Sequence, residues 1–195
     1  ACKMALVAAE DTKFFIHHGI DFESIEKSYE YNQLKNKPKR GGSTITQQLV
    51  KNAFLSRNRS YIRKAREVAG AVLLDATASK DMQLTWYFNV VEFGPKIYGI
   101  KDAAQFYFKK SPKALSSYEC ASLVAILPSP NRAYAGRDGA LSPRWAAYVR
   151  KLLSLMRERG RISDEELASG LAEELSLRRA GVGALADIRE CPQRP

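Results

Sequence analysis

Three short stretches of the chain hold the residue types that proton transfer and phosphate chemistry require. Glu10 and Asp11 precede Phe14, Phe15, His17, His18 and Gly19. A carboxylate flanked by Ala8, Ala9 and two phenylalanines is partly desolvated, which suits a general base. Taken alone, an acidic pair at a helix end is a solvated charge and adjacent histidines are surface or packing residues. The second stretch, Gly41-Gly-Ser-Thr-Ile-Thr-Gln-Gln48, gathers two glycines, three hydroxyls and two side-chain amides. At a helix start, unpaired N–H groups and partial positive charge offer a seat for phosphate or a sugar hydroxyl. An ordinary turn and cap explains Gly41, Gly42 and Thr44, but not two consecutive glutamines. The third stretch, Lys51 to Glu67, carries the bases Lys51, Arg57, Arg59, Arg63, Lys64 and Arg66 against the single acid Glu67. In a continuous helix Arg59, Arg63 and Glu67 fall at i, i+4 and i+8 and share a face. The bland alternative is a solvated basic face. A carboxylate among like-facing cations favours its charged form and suits holding a pyrophosphate or a metal better than donating a proton.

The elements that must position these residues read as helices. Periodicity predicts helices over Met4 to Glu10, Ile25 to Leu34, Tyr61 to Ala78, Lys80 to Val90 and Tyr118 to Leu127, the last stopped by Pro128. Thr44 and Gln47 fit a capping box opening a helix through Leu49 and Val50. Ser142-Pro143 starts another, with Trp145, Tyr148, Val149, Leu152 and Met156 as its packing stripe before Gly160. Ser163 to Glu166 opens a further helix by a second capping box. Lys35 to Arg40 has no apolar face, is broken by Pro38 and reads as a mobile basic loop. Modest strand is compatible with Val91 to Phe93 or Ile97 to Tyr98. The architecture is therefore mainly α. One domain spans 1–195, with a motif core over 5–135, C-terminal helices over 142–177 and a loose tail over 178–195.

At 195 residues, 45% hydrophobic and 27% charged, the chain is globular rather than disordered or collagenous. Its net charge of +10 points to an anionic partner: nucleic acid, acidic lipid or a phosphorylated substrate. Apolar runs such as Val68 to Leu74 fall far below the roughly 18 residues needed to cross a bilayer. No signal peptide is evident, so the natural start was cut away or export information lay upstream. Cys2, Cys120 and Cys191 are widely spaced and odd in number, which argues against a disulfide scaffold and a zinc site. The expectation is unpaired thiols, with Cys120 in an apolar core.

Taken together, four segments resemble the peptidoglycan glycosyltransferases, glycosyltransferase family 51. Glu10-Asp-x-x-Phe14-x-x-His17-x-Gly19 resembles the family's first motif, and Gly41 to Gln48 with Lys51-Asn52 its second. Arg63-Lys-x-x-Glu67 resembles the third. Tyr87-Phe-Asn89, leading to Phe93-Gly94 and Tyr98-Gly99-Ile100, then Ala103-Ala104, Tyr107-Phe108, Glu119-x-Ala121 and Leu127-Pro128, resembles the fourth. The order and spacing match over roughly residues 5 to 135. Two positions depart: Lys96 and Lys109 stand where the family usually has glycine. If those glycines serve a left-handed backbone, lysine costs about 1–2 kcal/mol at each.

The resemblance implies a lysozyme-like helical lobe with a smaller membrane-contacting lobe, and a chain most like the monofunctional biosynthetic transglycosylases. It implies polymerisation of lipid II into β-1,4 glycan strands by an inverting displacement, with release of undecaprenyl pyrophosphate. Glu10 is then the base and Glu67 the second catalytic residue, ordering the cations or helping to place a metal. The substrate-binding set is Asp11, Phe14, His17, Ser43, Thr44, Gln47, Gln48, Lys51, Asn52, Arg59, Arg63 and Lys64. A divalent cation, Mg²⁺ or Mn²⁺, near Glu67 is expected, with no organic cofactor. The expected partners are lipid II, the growing glycan chain, an anionic membrane surface and cell-wall synthesis or division proteins, with no nucleic acid. The expected location is the outer face of the bacterial cytoplasmic membrane, the family's usual N-terminal anchor being absent from this chain. The alternatives are a lysozyme-like hydrolase or lytic transglycosylase, which has no need of the basic cluster, and a basic nucleic-acid-binding module, which leaves Glu10 and Glu67 unexplained.

Overall fold

The computed structural model describes residues 1–35, 41–55, 60–131 and 142–173. Among them run α1 (Cys2–Glu10), α2 (Phe22–Leu34), α3 (Ile45–Phe54), α4 (Tyr61–Thr77), α5 (Lys80–Val90), β1 (Glu92–Gly94), β2 (Ile97–Tyr98), α6 (Gly99–Phe108), α7 (Ser117–Ile126), α8 (Pro143–Glu158) and α9 (Asp164–Ala172). The protein is mainly α, as the periodicity indicated. The chain divides into two compact units, residues 9–91 and residues 1–8 with 92–195.

The unit of residues 9–91 is organised by α3, which packs against both α4 and α5. Its apolar face, Ile45, Leu49 and Val50, is buried with Phe14, Ala71, Leu84 and Tyr87. The predicted capping box is present: the Thr44 hydroxyl accepts from the Gln47 N–H, and the Gln47 side chain accepts from the Thr44 N–H. Asp21, Ser60 and Ser79 cap α2, α4 and α5 in the same manner, each accepting from a first-turn N–H. Two glycines allow close backbone approaches. A Cβ on Gly19, which adopts φ +80°, would stand 2.5 Å from the Ala71 carbonyl oxygen of α4, and one on Gly42 would stand 2.8 Å from Ile25 Cα of α2.

In the other unit α7 is buried on every side from Tyr118 to Ile126, the position of a helix with no polar face. Helix α8 packs on it through Trp145, Val149, Leu152, Leu153 and Met156; Tyr148, placed in that stripe from the sequence, turns partly outward. The first turns of α1 belong to this unit, with Ala5, Leu6, Val7 and Ala8 buried. Contrary to the expectation of unpaired thiols, Cys2 and Cys120 form a disulfide, their Cα atoms 4.6 Å apart although 118 residues separate them in sequence. Such a distance suits a bridge, and only the fold brings the two cysteines together. Cys191 lies outside the described residues.

The short strands form an antiparallel hairpin pairing Glu92 with Tyr98 and Gly94 with Ile97. Helix α6 was not anticipated from the sequence: its N-cap, Tyr98, makes no side-chain capping bond and Gly99 opens it, so the usual start signal is missing. The basic loop over 36–40, Arg59, and the tail from 174 onward lie outside the described residues.

Candidate active site

Glu10 is the last residue of α1 and stands at a cleft of about 330 Å³ within the unit of residues 9–91. Asp11, Ser43, Thr44 and Gln48 line the same cleft, with Asp21, Ser24 and Ser28 on the side of α2. The Gln48 amide Nε2 donates to Glu10 Oε2 at 2.9 Å, and the Tyr87 hydroxyl donates to Gln48 Oε1, also at 2.9 Å. Burial pushes the Tyr87 phenol well above its ordinary range, and the charge of Glu10 adds to that shift, so Tyr87 keeps its proton.

The two glutamines that capping alone did not explain have separate work. Gln47 is buried and closes the α3 capping box, whereas Gln48, one position on, holds Glu10. Asp11 joins the first and second motifs: its Oδ2 accepts from the Ile45 N–H at 2.9 Å and meets His17 Nε2 at 2.8 Å. Thr44 adds a second tie, its hydroxyl donating to the Gly19 carbonyl at 2.6 Å. Phe14 is fully buried and lies 4.8 Å from Lys80 Nζ, which sits over its ring. Phe14, His17 and Gln47, expected among substrate-binding residues, thus serve here as internal supports of the cleft, whereas Thr44 both lines it and ties it to Gly19.

The supports include three residues the sequence did not single out. Lys80 Nζ donates to the His17 carbonyl at 2.7 Å and pairs with Asp75 Oδ1 at 2.5 Å. Gln83 donates to Asp75 at 2.9 Å and accepts from Thr46 at 2.7 Å. Burial by itself would push Asp75 up, but hydrogen bonds from Lys80 and Gln83, with the Lys80 charge, hold it below the usual carboxylate value. Lone polar residues on helices carry no motif, so only their mutual placement reveals this cluster.

On α4, helical spacing brings Arg63 to Glu67, with Nη1 donating to Oε2 at 2.9 Å. Lys64 pairs with the other Glu67 oxygen and reaches Ser43 Oγ at 3.3 Å, placing a cation on the cleft wall. The helix begins at Tyr61 after its cap Ser60, and Arg59 lies outside the described residues. Lys51 and Asn52 are exposed on the last turns of α3. The divalent cation expected near Glu67 does not fit the donor set there: both carboxylate oxygens are taken by cations. Among the described residues no three His, Cys, Asp or Glu side chains gather as a metal site.

Residues 1–153 match the transglycosylase family model. A biosynthetic peptidoglycan transglycosylase of Bdellovibrio bacteriovorus is 44% identical over 128 residues, 66% of this chain and 51% of the relative. One from Haemophilus influenzae is 45% identical over 66% of this chain and 53% of its own, and one from Aromatoleum aromaticum 44% identical over 79% and 65%. The chain thus spans about half to two thirds of the length of these relatives. A solved penicillin-binding protein 1A from Haemophilus influenzae covers 73% of this chain and 20% of its own at 22% identity and a TM-score of 0.40. With the family match spanning all four motif segments, the chain belongs to the transglycosylase family.

Proposed function

We propose that this chain is a peptidoglycan glycosyltransferase that polymerises lipid II. The observation that carries the reading is the meeting of opposite charges at one cleft: Glu10 is held there by Gln48, and Lys64 reaches the same wall through Ser43. Glu10 takes the proton of the acceptor's 4-hydroxyl as that oxygen attacks the anomeric carbon of the donor from the face opposite the pyrophosphate. The C–O bond to undecaprenyl pyrophosphate breaks with its electron pair, and the new linkage is β-1,4 with inversion. Negative charge grows on the leaving group, and fixed cations stabilise it; Lys51, Arg59, Arg63 and Lys64 are assigned this part. Glu67 then acts as a positioning residue that aims Arg63 and Lys64. The displacement involves no redox change.

The Cys2–Cys120 disulfide supports a site of action outside the cytoplasm, because such bonds persist in oxidising compartments. The +10 charge supports attraction to an anionic membrane surface and to the pyrophosphate. The test is glycan polymer formation from purified lipid II by the wild-type chain and by Glu10→Gln. That substitution keeps size and hydrogen-bonding capacity, so polymer should disappear while the thermal melt stays within a few degrees. Wild-type turnover in Glu10→Gln removes the base from the scheme, and absence of polymer with the wild-type chain removes the function.

A further inference from the structure

We infer that Tyr87 is a positioning residue for the base, acting on Glu10 through the side-chain amide of Gln48. The inference rests on the proposed role of Glu10. An ionised carboxylate only accepts hydrogen bonds, so the group that Gln48 turns toward Glu10 has to be its NH₂, and Nε2 stands 2.9 Å from Oε2. That orientation sends Oε1 to the opposite side, where it requires a donor. Tyr87 supplies one: its hydroxyl lies 2.9 Å from Oε1, and its side chain is 1% exposed.

The link is directional. Without the Tyr87 hydroxyl, nothing in the pair distinguishes the two ends of the Gln48 amide except Glu10 itself. The amide is then held at one end only and can rotate off the carboxylate, so Glu10 loses the fixed donor that keeps it in its attacking geometry. Three elements take part, Glu10 from the end of α1, Gln48 from α3 and Tyr87 from α5, so the chain of bonds also ties the base to the packed helices. Tyr87 is buried against that core and does not line the cleft. Its effect on the reaction therefore runs through Gln48.

The experiment is a double-substitution cycle on lipid II polymerisation with the full chain. Tyr87→Phe keeps the buried ring and removes only the hydroxyl, and it should lower kcat by about tenfold with KM for lipid II unchanged. Gln48→Ala should lower kcat at least as far. Tyr87→Phe added to Gln48→Ala should then cost less than about twofold more, because the link it acts through is already gone. A purely structural role for Tyr87 would instead lower kcat by the same factor in both backgrounds, and that result overturns the inference. A kcat within twofold of wild type for Tyr87→Phe overturns it as well. Should Tyr87→Phe fail to fold, Gln48→Leu, at a partly exposed position, must show the tenfold loss, and normal turnover there is equally fatal. Absence of polymer with the wild-type chain would strike the proposed function, and this inference falls with it; an active wild type with normal variants strikes the inference alone.

Discussion

Glu67 and Lys51 are both assigned to the chemistry of the leaving group, yet their surroundings separate what each substitution does. Glu67 is buried with both oxygens paired, to Arg63 and to Lys64. Glu67→Gln leaves a mostly buried arginine without its counter-charge, an effect of about 3–5 kcal/mol for a fully buried pair and about 1–3 kcal/mol here because Lys64 is half exposed. Lys51 is exposed, so Lys51→Ala should change stability by less than about 0.5 kcal/mol. If the Lys51 charge meets the departing pyrophosphate, its loss lowers kcat at saturating lipid II by about 100- to 1,000-fold. Denaturant melts and saturating turnover on the two variants read both quantities. Normal kcat for Lys51→Ala returns that residue to a solvated basic face, and an unchanged melt for Glu67→Gln removes its structural part.

At the scale of elements, two turns carry lysine in a backbone region that favours glycine. Lys96, the second residue between β1 and β2, has φ 63°, and Lys109, the C-cap of α6, has φ 57° and ψ 32°. These are the two positions where the resembled family pattern usually has glycine, and the backbone is left-handed at both. A non-glycine residue there costs about 1–2 kcal/mol, partly offset because glycine loses more freedom on folding. Lys96→Gly and Lys109→Gly should therefore each stabilise the protein by about 0.5–1 kcal/mol, while Lys109→Val, with its branched Cβ, should destabilise it. Urea midpoints at constant slope measure this; a loss of stability in both glycine variants would contradict it. The helices themselves were legible wherever a capping side chain and a periodic apolar face coincided, as at Thr44, Ser142 and Ser163. Helix α6 lacks the first of these signals, so its start is not marked in the sequence, although Ala103, Ala104 and Tyr107 have helical spacing.

For the whole molecule, the disulfide is the longest-range covalent constraint among the described residues. Closing a loop of 118 residues removes denatured-state entropy worth up to about 5 kcal/mol in the loop-closure treatment. Cys2→Ser or reduction should therefore lower the melting temperature by many degrees, and a reductant should have no further effect on Cys2→Ser. A melt insensitive to reductant in the wild-type chain would show that the bridge does not form in solution. A stabilising bond of this kind also makes apparent stability depend on redox conditions, so activity and melting are best compared under one buffer.

What the linear chain determined by itself was local. Helical periodicity, hydroxyl caps and the ordered spacing of Glu10, Gly41 to Gln48 and Arg63 to Glu67 specify a mainly α protein and its candidate chemistry, because each signal is written within a few turns of backbone. Which of those residues face the cleft was decided only by the tertiary structure. Phe14 and Gln47 carry family-like spacing no different in kind from that of Glu10 and Gln48, yet packing takes the first pair into the interior and leaves the second at the cleft. The same holds for Cys2 with Cys120, for Asp75 with Lys80 and Gln83, and for Tyr87 with Gln48. Hydrogen bonds and disulfides form at distances of a few ångströms, and which residues come that close across five to more than a hundred positions depends on how the helices pack.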